Sequence, residues 1–334
     1  MSKDFSSADA LSIVASQSDH AKYDSDTPAL SNMSERDKPW DKHRGNSDTI
    51  ADHYRTDRDY QRYADRIDFC SQFLDFKLVP DNERGLLKLK LNSARFCRVR
   101  HCPVCQWRRS LMWKAKAYKI LPKVVEAYPT FRWLFVTLTV RNCKITELRE
   151  TLQWMNKSWQ RLVQRKQFPA IGFIRSTEVT RGKDGSAHPH FHCLLLVRSG
   201  YFGKNYMKQS EWVELWRQCL RIDYDPIMDV QAVKKGQQPM QLVPELLKYV
   251  TKPSSILFDR DWFLEFTKQM HKLRCISIGG VLKGYLKALE EEPDDLIGQG
   301  EDVDEVDEGH LYFGWKRKVK KYKLVGDSFE CDSS

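Results

Sequence analysis

Apolar and polar positions along the chain follow two rhythms, one of period two and one near 3.6 residues. The run Phe131-Arg-Trp-Leu-Phe-Val-Thr-Leu-Thr-Val140 is rich in β-branched and aromatic residues and reads as a central strand. Two further runs, Phe173–Thr180 and His188–Val197, flank the turn-rich Arg181-Gly-Lys-Asp-Gly-Ser-Ala187, which predicts an antiparallel hairpin over 171–197. Leu148, Leu152, Met155, Trp159 and Leu162 recur at helical spacing and predict a core-facing helix over 146–166. Other helices are expected over 107–128, where Pro122 would introduce a kink, near 211–220, and over 259–273, with a strand at 228–233. A short helix is expected to enter after Pro244 and break at Pro253. These elements imply an α+β protein, an antiparallel sheet with packed helices, and no internal repeat.

The pattern is weaker at both ends. Residues 1–59 are rich in Ser, Asp and Lys with little apolar periodicity and are expected to be disordered. Residues 60–128 form a cysteine-bearing subdomain with its connecting helix, and 129–289 the main domain. An acidic linker over 290–310 then precedes a basic C-terminal strand or tail over 311–334. The 334 residues carry 55 Lys and Arg against 45 Asp and Glu, a net charge of +10, which favours a polyanionic partner. No apolar run approaches a membrane span and no signal-peptide core is visible, so the expectation is a soluble, cytoplasmic protein without a membrane partner.

Three clusters carry candidate chemistry. On a strand, side chains alternate faces, so His188, His190 and His192 share one face while Phe191, Cys193 and Leu195 point into a core. Pairing across the hairpin would bring Glu178 beside His190 and His192. Two imidazoles and a carboxylate suit a catalytic divalent cation, because they leave positions open for water or substrate; the bland alternative is a surface run of histidines. Second, Glu245, Tyr249 and Lys252 fall at i, i+4 and i+7 of the expected helix. A tyrosine flanked by an acid and a lysine can serve as a covalent nucleophile, although alone the pattern equally describes an ordinary amphipathic helix. Third, Cys97, Cys102 and Cys105 have the short spacing of a structural zinc site, which lacks a fourth ligand; His101 is one candidate. Arg95, Arg98, Arg100, Arg108 and Arg109 surround this knuckle as candidate DNA contacts, with Trp107 and Trp113 among them as base-stacking or packing groups.

Taken in order, Phe135-Val-Thr-Leu-Thr139, His188-Pro-His-Phe-His192 and Glu245-Leu-Leu-Lys-Tyr249-Val-Thr-Lys252 resemble the three motifs of the HUH endonucleases. The similarity is greatest to the replication initiators of small rolling-circle plasmids that carry one tyrosine and a nearby glutamate, and it spans about residues 60–285. The resemblance implies that His190, His192 and a third ligand, Glu178 or alternatively His188, hold Mg²⁺ or Mn²⁺ against a phosphate of single-stranded DNA. It implies that Tyr249 forms a 5′-phosphotyrosine and releases a 3′-OH, and that Glu245 activates water for the terminating cut. It also implies Cys70 as the fourth zinc ligand, origin DNA as partner, and a host helicase and polymerase alongside. Two other readings share parts of this pattern: an HUH transposase or mobilisation relaxase, and a non-catalytic zinc-containing DNA-binding regulator.

Overall fold

The computed structural model describes residues 27–81, 86–234, 238–247, 257, 259–289 and 309–328. In chain order, helices α1 (Pro39–Arg55) and α2 (Gln61–Asp68) precede strands β1 (Phe73–Asp81) and β2 (Leu86–Ala94). Helix α3 (Pro103–Ala127) leads to β3 (Arg132–Thr139), α4 (Leu148–Val163), β4 (Ala170–Arg181) and β5 (Ala187–Val197). Then come α5 (Gln209–Leu220), β6 (Met228–Ala232), α6 (Val243–Leu246), α7 (Arg260–Gln269), β7 (Ile276–Gly280) and α8 (Leu282–Lys287). The chain closes with β8 (His310–Lys316) and β9 (Lys321–Ser328). It divides into two compact units, 1–108 with 295–334, and 109–294.

The first unit is built on an antiparallel sheet of order β2-β1-β8-β9. Alternation puts Leu74, Phe76 and Leu78 of β1, Leu311, Phe313 and Trp315 of β8, and Tyr322 and Leu324 of β9 on one buried face. Helix α1 belongs to that core: Trp40 meets Tyr322 edge-on at 6.3 Å, and the Trp315 indole donates to Asp48 at 2.9 Å. This corrects the expectation of disorder through residue 59. The buried stripe of α1 includes Trp40, Arg44, Ser47, Asp48, Ala51 and Tyr54, so half of it reads as surface. Arg44 and Asp48 pair at 2.6 Å within the stripe, which lets both be buried. The basic C-terminal stretch is likewise a strand pair of this sheet rather than a free tail, and the first unit is therefore made from both ends of the chain.

The second unit is a five-stranded antiparallel sheet of order β6-β3-β5-β4-β7. Its sheet and packed helices agree with the expected α+β class, and β5, the histidine strand, lies at the centre. One face carries Trp133, Phe135, Ile174, Leu194 and Leu196, which pack in one cluster with Ala117, Leu121 and Val124 of α3, Leu246 and Leu247, and Leu282 of α8. The other face packs on α4, where Trp159 meets Phe173 at 4.9 Å and Phe191 at 6.4 Å.

The short helix after Pro244 departs from expectation. It closes at Leu246, and Leu247 leaves helical conformation with φ −108° and ψ 36°. The Leu247 carbonyl instead accepts from the Ser110 hydroxyl at 2.8 Å, a bond that competes with continuation of the helix. Tyr249 and Lys252 lie outside the described residues.

Candidate active site and metal centres

Register builds the histidine site. His190 of β5 pairs with Thr139 of β3 on one side and Glu178 of β4 on the other, and His192 pairs with Thr137 and Ser176. Directly paired residues share a face, so three adjacent strands deliver Glu178, His190, His192 and Thr137 to one spot. Glu178 Oε2 lies 3.2 Å from His190 Nε2 and 3.0 Å from His192 Nε2. All three residues are 5–8% exposed.

The far sides of both rings are held as well. His190 Nδ1 lies 3.3 Å from the His188 carbonyl, which can only accept, so with Nε2 bound to a cation Nδ1 carries the proton and is held by that carbonyl. His192 Nδ1 lies 3.2 Å from Thr137 Oγ1. With Nε2 as ligand, Nδ1 donates to that hydroxyl, and the threonine fixes tautomer and ring angle. Burial opposes ionisation of Glu178, but hydrogen bonds from His190 and His192 outweigh it and hold the carboxyl well below the usual range. An anionic carboxylate facing two imidazole nitrogens is a donor set for a divalent cation, since without one a proton must lie between them. The residues therefore fit a metal with three protein ligands and open positions.

His188 lies on the same face one step further along, its ring centre 5.2 Å from that of His190, but its side chain is not one of the three that converge. Burial, and then the neighbouring His190, lower its pKa. Glu245 sits half-buried in the first turn of α6. Leu246 and Leu247, which follow it, are buried in the cluster with Phe135 and Leu194, and the Phe135 ring stacks 5.8 Å from that of His192.

The cysteine site lies in the first unit. Cys70 lies in the turn just after α2, Cys97 and Cys102 in the loop between β2 and α3, and Cys105 in the first turn of α3. The Sγ atoms of Cys70 and Cys105, and of Cys97 and Cys105, are 3.6 Å apart, and those of Cys102 and Cys70 are 3.7 Å apart. These separations are too long for a disulfide, whose sulfurs lie about 2.05 Å apart. A zinc tetrahedron with Zn–S of about 2.3 Å has S···S edges of about 3.8 Å, so the four thiols fit that geometry. Arg98 adopts left-handed φ of 56°, folding the knuckle so that the Arg98 amide reaches Cys105 Sγ at 3.3 Å and the Val99 amide Cys97 Sγ at 3.4 Å. Ser47 of α1 touches Cys102 Sγ at 3.5 Å and accepts from the Val104 amide at 3.3 Å. His101 is buried beside the knuckle but is not among the four converging groups.

The arginines around the knuckle are dispersed. Arg95 and Arg98 are exposed, and Arg100, Arg108 and Arg109 are half-buried. Arg108 lies over Trp40 and Trp107 at 5.5 and 5.6 Å from the ring centres. Trp107 stacks on His43 at 4.8 Å and Trp113 packs against the core of the second unit, so both tryptophans are packing groups. Sequence reasoning missed Thr137 as a histidine partner and Ser47 as a brace of the cysteine site. The first had a signal, since a threonine opposite a histidine follows from pairing the two strands; the second had none.

A family model described as "Replication protein" matches residues 88–323. "Protein rep" of Bacillus amyloliquefaciens is 33% identical over 297 residues, covering 79% of this chain and 86% of that protein. "Protein rep" of Streptococcus pneumoniae serotype 2 is 32% identical over 82% of this chain and 88% of its own. A "Replication protein" of Staphylococcus aureus is 33% identical over 61% of this chain and 95% of its own. No solved structure matches.

Proposed function

The chain belongs to the replication-protein family, and from that membership and the site geometry we propose that it initiates rolling-circle replication of a plasmid by nicking one strand at the origin and later rejoining it. The observation that carries this reading is the convergence of Glu178, His190 and His192 on one face of the central strands, beside the buried Leu246–Leu247 anchor of the Tyr249 segment.

Glu178, His190 and His192 are the residues that would hold Mg²⁺ or Mn²⁺, which supplies polarisation of the scissile phosphoryl oxygen. The Tyr249 phenol attacks phosphorus, forming the P–O bond of a 5′-phosphotyrosine as the bond to O3′ breaks. The released 3′-OH primes synthesis. Strand joining is the reverse attack by a DNA 3′-OH. Glu245, four residues before the tyrosine in sequence, would take a proton from water for the terminating hydrolysis, and Lys252 would stabilise the phenolate or the attacked phosphate. The four cysteines would hold zinc in a structural role. A soluble cytoplasmic location, with a host helicase and DNA polymerase as working partners, belongs to the same reading. No helix among the described residues is long and apolar enough to cross a membrane.

The test is covalent capture. Wild-type protein and Tyr249→Phe are incubated with Mn²⁺ and single-stranded oligonucleotides tiled across the source replicon, then resolved under denaturing conditions. A Mn²⁺-dependent protein–DNA adduct made by the wild type alone is the expected result. An adduct from both forms would move the nucleophile to another residue. No adduct and no cut strand from folded, DNA-binding protein would favour a non-catalytic regulator.

A further inference from the structure

The solvent face of the first unit's sheet is built unlike that of an ordinary amphipathic sheet. Its inner face already takes the apolar alternation, with Leu74, Phe76, Phe313, Trp315 and Tyr322 buried. Yet the outer face also presents large rings: Phe73 is 63% exposed and Tyr312 37% exposed. Core formation does not require them there, and exposed apolar groups in a contiguous patch mark interaction surfaces.

Register turns these rings into a row. Along β8, His310, Tyr312 and Gly314 occupy successive outward positions. His310 and Tyr312 stand nearly parallel, with ring centres 6.0 Å apart and planes 18° apart. Gly314 pairs with Phe73, and a Cβ at Gly314 would lie 3.4 Å from the Phe73 ring and 3.1 Å from Val325 Cγ1. The glycine thus clears the third position of the row, and the Phe73 ring from β1 leans across it. Outward positions on one strand repeat at about 6.8 Å, roughly twice the 3.4 Å step of stacked bases.

The charges around the row are set for a polyanion. Lys77 pairs with both His310 and Lys90, placing two lysines beside the rings, while Lys323 pairs with Gly314 at the other flank with its ammonium donating to the Thr27 carbonyl at 2.7 Å. Asp75, which pairs with Tyr312, accepts from His310 Nδ1 at 2.6 Å, Asn92 at 2.5 Å and Ser93 at 3.2 Å, so its carboxylate is engaged by neighbouring side chains. Aromatic faces flanked by cations are the arrangement that binds unpaired bases through stacking and phosphates through charge.

We propose that Phe73, Tyr312 and His310 form a stacking platform for single-stranded DNA on the first unit, separate from the Glu178/His190/His192 site. The proposal rests on the reading of the protein as an enzyme acting on single strands, and it names residues that grip a strand besides those at the cut.

The experiment measures fluorescence anisotropy of a labelled oligo(dT) of 20 nucleotides, and of a duplex of equal length, with the full chain and no added Mg²⁺ or Mn²⁺. Phe73→Ala and Tyr312→Ala are each expected to weaken single-strand binding about tenfold, while Tyr312→Phe, which keeps the ring, stays within about twofold of wild type. Duplex affinity should change much less than single-strand affinity. Alanine variants that bind oligo(dT) as tightly as wild type would overturn the platform. So would a Tyr312→Phe loss equal to that of Tyr312→Ala, which would assign the effect to the hydroxyl, or an equal loss on duplex, which would assign the face to duplex DNA. Should an alanine variant lose its zinc or its circular dichroism, Phe73→Leu and Tyr312→Leu give the same reading with a bulky aliphatic in place. Because binding is read without the catalytic cation, and adduct formation on the wild type, failure of the platform and failure of the nicking reading are separately visible.

Discussion

The two candidate metal centres are built from different parts of the fold, one from paired strands and one from loops and a helix start, and to opposite ends. In the first unit, four buried thiols close on one another at 3.6–3.7 Å and are braced by backbone amides and Ser47. In the second, three donors stand on neighbouring strands, with Nε2–Oε2 distances of 3.0–3.2 Å and no fourth protein ligand among the described residues. A closed soft-donor shell leaves an ion nothing to do except hold the chain together, whereas an incomplete shell of nitrogen and oxygen leaves room for a substrate oxygen. The difference also lies in what supports each set. The cysteine knuckle depends on loops that have little other reason to stay folded, while the histidine site is laid on a sheet whose core exists without it.

The largest effect is therefore expected at the cysteines. Cys102→Ser should drop zinc from one ion per chain toward none and unfold the first unit, since structural zinc contributes on the order of 10 kcal/mol in small zinc folds. Elemental analysis with amide NMR spectra checks this, and full zinc content with unchanged spectra would remove the knuckle from its structural role. Glu178→Ala should leave the fold intact yet raise the Mn²⁺ needed for half-maximal adduct formation by about a hundredfold; an unchanged titration would pass the third-ligand role to His188. Thr137→Val should weaken Mn²⁺ binding about tenfold by calorimetry, with Thr137→Ser near wild type, because a hydroxyl that orients a ligand histidine is worth roughly 10–100-fold in affinity. Equal behaviour of Val and Ser would reduce Thr137 to strand packing.

The smallest effect concerns pH. The Glu178 carboxyl is depressed in the folded protein, so its contribution to stability is present above its unfolded pKa of about 4.3 and is lost as pH falls through the folded value. In metal-free protein, the stability difference between wild type and Glu178→Gln should be constant near neutrality and shrink only below about pH 4. A difference that stays unchanged as pH falls well below about 4 would contradict the hydrogen-bonded carboxylate.

The second unit was largely legible in the sequence, and the first was not. Strand alternation and the Arg181–Ala187 turn sufficed to put Glu178 opposite His190, because a hairpin's register follows from local sequence. The four-cysteine set needed more: spacing indicates three ligands, and Cys70 came only with the family resemblance. Nothing local foretells the pairing of β1 with β8, where Asp75 and His310 meet across 235 positions. Helix α1 was hidden because Arg44, Ser47 and Asp48 occupy buried positions that a hydropathy pattern assigns to solvent. Arg175 shows the same failure within the second unit: it reads as a surface charge, yet it is buried against Phe191 at 4.1 Å and donates to Asn156 at 2.6 Å. Burial lowers its pKa to about 10. The short helix that carries Glu245 closes at Leu246, and the Leu247 carbonyl that follows accepts from Ser110, a residue 137 positions away.

The division of labour between the two centres is tested most directly by anomalous diffraction from crystals of the full chain soaked in Mn²⁺. The account predicts a zinc-edge peak at the centre of Cys70, Cys97, Cys102 and Cys105 and a manganese-edge peak against Glu178, His190 and His192. Zinc at the histidine site with none among the cysteines, or no manganese at the histidines of a crystal whose protein forms the DNA adduct, would contradict it.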